Sequence, residues 1–445
     1  MSAAAPTRHV VLLTGVTGFV GKVVLEELMR RREELGVAQV LTLVRARDPA
    51  HADARLRAGV VESLCFAAHA PGWEKCVEAV VGDLTQPGLG LSTASRERIA
   101  SEVTHVIHCA ASVEFNLPLA EATTVNAGGA LETLVVAREC RRLASFVDVS
   151  TAYVTAHPNA LGGEVFRVEE KLAPLPRDAA SIHADILAGR VREAHLLEET
   201  GHPNTYTLTK CIAEHLVARR GDGLPVTLLR PSIVSVSERE PIAGWVDSAA
   251  AFAGFVALLG SGRLRAVAGD LAARLDVVPC DAVAHRIVEA AFAPPPRGEL
   301  RIHHAVAGLS GALPIQLCRE RITAYFEQNP VHGPGVDIRY VGRPGAAFCL
   351  AHTVHHELPG LRNVTLATLA REPARARAAR ALVQLQRHTN RDFAYFANAT
   401  FDFATSVPID PPLVPAKYID LVCEGVRTNL FRNRRERRVR SRGRP

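Results

Sequence analysis

A doubly wound α/β fold built on a parallel sheet, with a smaller and mostly helical C-terminal domain, is the fold class this sequence predicts. Three observations predict it. Short, continuously apolar runs alternate with helical stretches over residues 9–240. The first run feeds directly into a glycine-patterned turn, "TGVTGFVG". A Gly- and Pro-rich stretch at 329–345, "NPVHGPGVDIRYVGRPG", then separates this alternation from a segment rich in Arg, Ala and aromatic residues.

In chain order, "HVVLLTG" (9–15), "VLTLVR" (40–45), "VEAVVGD" (77–83), "HVIHCAA" (105–111), "FVDVST" (146–151) and "VTLLRPSIV" (226–234) read as strands. Continuous apolar character suits strands buried on both faces. Stretches such as "GKVVLEELMRRREEL" and "ALETLVVARECRRL" between them read as helices. Strand–helix alternation at this spacing implies right-handed crossovers and a parallel sheet. The apolar run "SAAAFAGFVALLG" (248–260) is too short to span a bilayer. It reads first as a buried helix, with the wall of an apolar tunnel and a membrane-surface helix as alternatives. Beyond the Gly/Pro stretch come an Arg- and Ala-rich helix, about 371–388, and the aromatic cluster "FAYFANATFDF". The expected organisation is a large doubly wound domain over 1–340, a small domain over 345–431 and an Arg-rich, disordered tail over 432–445.

The chain of 445 residues, 48% hydrophobic and 22% charged, is long enough for one large domain and a smaller one. Its net charge of +6 is concentrated in the terminal "RNRRERRVRSRGRP", which holds eight Arg and one Glu. The remainder is near neutral, so no nucleic-acid groove is expected. A tail of this kind is usually solvated, and attraction to anionic lipid is its secondary reading. Nine cysteines without CxxC or zinc-ligand spacing, and no signal peptide in "MSAAAPTRHVVLL", suit a reduced cytoplasmic protein without a metal site.

The glycine pattern sits after the first strand and at a helix N-terminus, where a dinucleotide site needs it. Gly15 permits the tight turn, Gly18 lets a pyrophosphate approach the backbone, and Gly21 brings helix and strand together. This is the Rossmann arrangement. The tip of the second strand, "LVRAR", carries Arg45 and Arg47 where NAD-specific sites place a carboxylate, so the extra phosphate of NADPH is favoured. Asp83 in "VGDL" ends the third strand, where it can meet the adenine amino group. Ala110 in "HCAA" ends the fourth with small residues that allow close approach. Thr14, Thr17, Phe19, Leu84, Asn126, Pro231 and Ile233 complete the expected cofactor contacts.

The fifth strand ends in "VSTAYV", which presents Ser150 and Thr151 at the carboxyl edge of the sheet. The following helix, "NTYTLTKCIAEHLV", carries Tyr206 and Lys210 one turn apart. A Tyr–Lys pair alone says little; beside a cofactor and a hydroxyl it becomes a proton-transfer site. Tyr206 donates a proton or a strong hydrogen bond to a carbonyl oxygen taking up hydride. Lys210 is expected to lower the phenol pKa and to hold the nicotinamide ribose. Thr151, with Ser150 as the alternative, supports the same oxygen.

At this point the chain resembles the extended short-chain dehydrogenase/reductase superfamily over about its first 300 residues. Further segments narrow the resemblance to fatty acyl-CoA reductases: "HCAASVEFNLPLAEATTVNAGG", "LLRPSIVSVSEREPIAGWVDS" (228–248) and "RLDVVPCDAVAHRIVEAA" (274–291). "FANATFDFATSVPIDPPLVPAKYIDLVCEGVRTNL" is similar to that family's C-terminal male-sterility domain. One departure is "VNAGGALE", which replaces the more usual Asn-x-x-Gly-Thr pattern beginning at Asn126. The resemblance implies NADPH-dependent reduction of a long-chain acyl-CoA, or an acyl-carrier-protein thioester, through a hemithioacetal and an aldehyde to an alcohol. It implies no cysteine nucleophile, although Cys109 lies near the cofactor strand. The 55 positions between Thr151 and Tyr206 exceed a simple connection and imply an insertion over the site. The apolar run at 248–260 would offer an oily wall to the acyl chain, with peripheral membrane contact admitted. Aldehyde release, a nucleotide-sugar or sterol dehydrogenase-epimerase on the same scaffold, and an NADPH-binding sensor protein are the alternative readings.

Overall fold

The computed structural model describes residues 8–157, 164–331, 333 and 335–432. All but the first residue of the expected Arg-rich tail lie outside the described residues. Seven strands form the central sheet: β1 (His9–Thr14), β2 (Val37–Val44), β3 (Val77–Val81), β4 (His105–His108), β5 (Ser145–Val149), β6 (Val226–Pro231) and β7 (Leu300–Ala305). Their order is β3-β2-β1-β4-β5-β6-β7, and every pairing is parallel. The order reverses between β1 and β4, which opens a crevice at the carboxyl ends of those strands.

Alternation along each strand divides the apolar residues between two faces. Leu12, Leu41, Phe146 and Leu228 face one side. Val11, Leu13, Ile107, Val147 and Leu229 face the other. The helices that matter here are α1 (Phe19–Arg30), α2 (Pro49–Leu56), α3 (Thr93–Glu102), α4 (Gly129–Glu139), α5 (Thr205–Arg220), α6 (Ala251–Gly260), α7 (Cys280–Phe292), α8 (Ile315–Gln328), α9 (Leu358–Leu369), α10 (Pro373–Ala397) and α11 (Pro415–Gly425). α4 and α5 cover the first face through Leu134, Leu208 and Ile212. α1 and α7 cover the second through Val24, Leu28, Val283 and Ile287. Right-handed crossovers with helices on both faces are what parallel strands of this spacing require.

A third core lies beyond the carboxyl edge of the sheet. It joins Tyr153 and Val168 to Phe252 and Phe326, and these to Phe396, Phe401, Tyr418 and Val422. The strand Thr400–Phe403 pairs in parallel with Val165–Val168, and Tyr340–Gly342 pairs with Ala266–Ala268. The Tyr418 hydroxyl donates to the Val236 carbonyl at 2.8 Å. The change of composition at 340–345 therefore does not separate two cores: residues on both sides pack into one. The run 248–260 resolves as α6, whose Phe252, Ala253, Val256 and Leu259 are buried.

The structure adds elements the sequence reading lacks. β7, "LRIHHA", is an edge strand whose Arg and His residues interrupt the apolar run expected of a strand. The Arg-rich helix expected at 371–388 begins at Pro373 and continues to Ala397.

Candidate active site

The turn after β1 is shaped by close backbone approach. Gly15 has φ +78°, and a Cβ there would stand 2.7 Å from the Ala110 nitrogen. A Cβ on Gly21 would stand 2.3 Å from the Gly15 carbonyl oxygen. Only glycine fits either position. Gly18 is the extended residue before α1, and among the described residues no side chain caps that helix start. Thr17 and Gly18 are exposed there. An open helix N-terminus over a glycine cradle fits the pyrophosphate of a nicotinamide dinucleotide.

The remaining expected cofactor residues surround this cradle in different ways. Thr14 is buried and ties the ends of β1 and β4 together, accepting from the Ala110 N–H at 3.2 Å and lying 2.9 Å from His108 Nδ1. Phe19 stacks on Trp245 with centroids 5.5 Å apart. Arg45 and Arg47 are exposed at the tip of β2. Arg47 donates to Asp48 at 3.1 Å, whereas Arg45 has no ion pair among the described residues. Asp83 accepts from the Thr85 backbone N–H at 2.9 Å and from its hydroxyl at 2.8 Å, closing its own turn. Leu84 packs under Gly129, where an added Cβ would approach its Cβ to 3.2 Å. Asn126 is a buried latch. Its carbonyl oxygen accepts from Ser112 N at 2.9 Å, and its amide donates to Ser112 O at 3.2 Å and Thr209 Oγ1 at 3.0 Å. It thus fixes the loop after β4 to α5. Ile233 turns away from the cradle and lines an apolar cleft.

The reacting groups converge at the carboxyl edge of β5. Asn204 caps α5, its side-chain oxygen accepting from Thr207 N at 2.9 Å. The cap places Tyr206 in the first helical turn and Lys210 one turn deeper. Thr151 is buried, accepts from Tyr153 N at 3.4 Å and donates to the Pro231 carbonyl at 3.5 Å. Its hydroxyl lies beside the Tyr206 phenol, which it helps to ionise. Burial dominates, however, and with the Asp148 charge it pushes the phenol pKa up to about 12. The lowering by Lys210 expected from sequence is not what the protein alone provides: the phenol stays protonated. Ser150 is buried, and its hydroxyl has no partner among the described residues.

Beneath these groups Lys210 belongs to a buried polar cluster whose other members, Asp148 and His108, the sequence does not single out. Lys210 is 1% exposed and its Nζ has no partner among the described residues. Asp148, fully buried on β5, has neither oxygen partnered there. Burial raises its pKa, and the Lys210 charge opposes part of that rise. His108, the register partner of Asp148 on β4, is driven down to about 3 by burial and the same ammonium, and so stays neutral. A buried ammonium without hydrogen bonds calls for an occupant with acceptor oxygens. A nicotinamide ribose fits that need.

The site also has an apolar side. Phe115 stands 5.8 Å from the Tyr206 ring and 5.8 Å from Phe396 at the end of α10. Tyr153 meets Phe396 edge-on at 4.7 Å. The C-terminal segment therefore supplies a wall beside the reacting groups. Near it a narrow apolar cleft with about 40 Å³ of open space is lined by Ile233, Phe252, Phe255, Leu259 and Phe393, with Arg319 also on its lining. The two aspartates of "DVVPCD" are clamps. Asp276 accepts from Ala307 N and Gly308 N, each at 2.9 Å, and Asp281 holds the backbone of 238–240.

Comparison with known proteins identifies a family and a fold. Residues 13–287, more than half of the chain, match the family model described as male sterility protein. The fatty acyl-CoA reductase wat of Drosophila melanogaster is 34% identical over 290 residues, which is 63% of this chain and 54% of that protein. Fatty acyl-CoA reductase 1 of Homo sapiens is 29% identical over 354 residues, 78% of this chain and 66% of that one. The chain thus spans between about half and two thirds of the length of these relatives. Among solved structures, the terminal R domain from the myxalamid PKS-NRPS biosynthetic pathway superposes with TM-score 0.63 at 22% identity, covering 96% of this chain and 92% of that one. The reductase domain of a nonribosomal peptide synthetase from Mycobacterium tuberculosis gives TM-score 0.58 at 19% identity, with the same coverage. At these identities the two structures speak for the fold alone.

Proposed function

Because the chain belongs to the male sterility protein family of fatty acyl-CoA reductases, we propose that it reduces a long-chain acyl thioester with NADPH, carrying the acyl group through an aldehyde to an alcohol. One observation carries this reading. Tyr206, protonated and with the Phe115 ring 5.8 Å away, shares a helix with a buried Lys210 that has no hydrogen-bond partner among the described residues. NADPH supplies hydride to the thioester carbonyl carbon. The residues of this chain do the rest.

Thr151 and Tyr206 hold the carbonyl oxygen as it gains charge, and the phenol provides a proton to it. A pKa near 12 keeps that proton in place at neutral pH, which suits reduction. Lys210 binds the nicotinamide ribose and, as an ammonium, stabilises negative charge on the phenol after proton transfer. Collapse of the hemithioacetal expels the thiol and leaves an aldehyde. A second reduction in the same site gives the alcohol. Arg45 is the group for the 2′-phosphate, being cationic, exposed and without an ion pair among the described residues. Phe115, Tyr153 and Phe396 shield the reacting carbon from water, and the acyl chain follows the apolar side that they form.

The test is the ratio of NADPH oxidised to CoA thiol released with a long-chain acyl-CoA. A ratio near two is expected. A ratio near one means that aldehyde leaves the site and the alcohol step is wrong. No thiol release at any chain length, with NADPH still bound, overturns thioester reduction itself.

A further inference from the structure

The helical arm 346–369 runs from Ala346–His352 through a π-helical turn, Thr353–Glu357, into α9. One face of it is buried: His352, His356, Gly360 and Ala367. At Gly360 a Cβ would come within 2.2 Å of the Val383 side chain, so the arm lies tight against α10. The opposite face carries Leu350, Val354, Leu358, Leu361 and Leu369, which are between 45% and 76% exposed. Their spacing places them on one stripe, and Leu366, also exposed, flanks it. Isolated exposed leucines need no explanation, but a continuous row of them does.

The charge around the stripe is mostly positive: Glu357, within its span, is paired with Arg387. Between 358 and 385 the chain holds Arg362, Arg371, Arg375, Arg377 and Arg380, all exposed, and a single acid, Glu372. Glu372 pairs with Arg375 at 3.0 Å, and the other four arginines have no ion pair among the described residues. We propose that α9 and the first turns of α10 dock flat on an anionic lipid bilayer, with the leucine stripe at the acyl boundary and the arginines among the phosphates. A row of exposed leucines on a helix followed by exposed arginines is the composition of an interfacial helix. An acidic protein would answer the arginines and leave the leucines unexplained. No helix among the described residues is long and apolar enough to cross a membrane, so the contact is along its surface.

The arm also leads toward the catalytic tyrosine. Phe348 and His352 at its root line an open groove with Pro203 and Tyr395. Pro203 and Tyr395 also line the adjoining groove that contains Phe115, the ring against Tyr206. A long-chain thioester partitioned into the bilayer thus has a lined path to the site. This path, unlike the docking, rests on the thioester-reductase reading.

The test is co-sedimentation of the full chain with vesicles of phosphatidylcholine plus phosphatidylserine, against phosphatidylcholine alone. The parent is expected to sediment with the anionic vesicles and to be released in part by salt. Leu361→Asp/Leu369→Asp should lose roughly tenfold or more of that partitioning, and Arg377→Glu/Arg380→Glu should lose the preference for anionic lipid. Both should keep the parent's melting temperature and its turnover of a short, soluble acyl thioester. Leu369→Trp should shift its emission to the blue on vesicles and be quenched by brominated lipid. The proposal is overturned if the parent binds no vesicle, or if the double leucine variant binds as the parent does, which would move attachment to another part of the chain. It also falls if leucine-dependent binding is found only to an acidic carrier protein, or only between copies of the chain. Vesicle binding without thioester turnover would leave the docking intact and sink the catalytic reading instead.

Discussion

Tyr206 is under opposing influences. Burial and the Asp148 carboxylate hold its proton on, and the Thr151 hydroxyl favours its release. In the proposed reaction Asp148 would not touch substrate but would act as a positioning charge on the phenol. Asp148→Asn removes a negative charge while keeping the shape of the side chain. The phenol then ionises at lower pH, so the basic limb of kcat/KM should move to lower pH, with little change in KM for the thioester. Superimposable pH profiles for parent and variant would exclude this role. Thr151, Tyr206 and Lys210 were legible in sequence because their order and spacing follow the glycine turn. Asp148 was not, because it sits between Val147 and Val149 in a run that reads as plain strand. Period-two alternation does put Phe146, Asp148 and Ser150 on one face. That this face meets Lys210 is decided only by the order of strands and the seating of α5.

At the scale of elements, α5 is fixed to the sheet by a buried ion pair. Arg230 on β6 donates to both oxygens of Glu214 on α5, at 2.8 and 2.6 Å, and to the Lys171 carbonyl at 2.9 Å. Both side chains are fully buried. Removing one partner leaves a bare charge in the interior, which costs about 3–5 kcal/mol, whereas an apolar pair of similar volume is often neutral. Arg230→Met and Glu214→Leu should each lower the unfolding free energy measured by urea titration by that amount, and the double variant should recover most of it. Additive losses in the double variant would mean that the two charges are not coupled. The pair was hidden in sequence, since Arg230 reads as the polar end of "VTLLRP" and Glu214 as a solvent-facing helix residue. β7 escaped for the opposite reason. Its His303 and His304 look unlike a strand, yet Glu170 accepts from His304 N at 2.8 Å and receives the polar edge.

The whole molecule is less divisible than its composition suggests. Phe396, Phe401, Tyr418 and Val422 come from beyond residue 345 and complete the core around Tyr153, Phe252 and Phe326. Each contributes about 1.5–3 kcal/mol on burial, and together they are comparable with the whole stability of a domain, about 5–15 kcal/mol. A chain ending at Arg343 should therefore lose cooperative unfolding and solubility, measured by calorimetry and sedimentation. A soluble fragment with a parent-like melting transition would show that the two parts fold independently. The Gly/Pro stretch at 329–345 has the composition of a boundary because turn residues mark any long connection. Whether the elements on either side share a core depends on distant pairings that local composition does not record.

The parallel pairing of Val165–Val168 with Thr400–Phe403 joins stretches of chain 235 positions apart, as the Arg167–Asp402 contact across it records. A ribosome that has translated β1 through β6 has already made the glycine cradle, Thr151, Tyr206 and Lys210, but not yet the aromatic wall that Phe396 brings to Phe115 and Tyr153. During synthesis the reacting groups thus face water, and shelter for the reacting carbon arrives only near the end of translation. Contacts of such long sequence separation form slowly. The interval between making the catalytic groups and enclosing them is thereby written into the order of the chain.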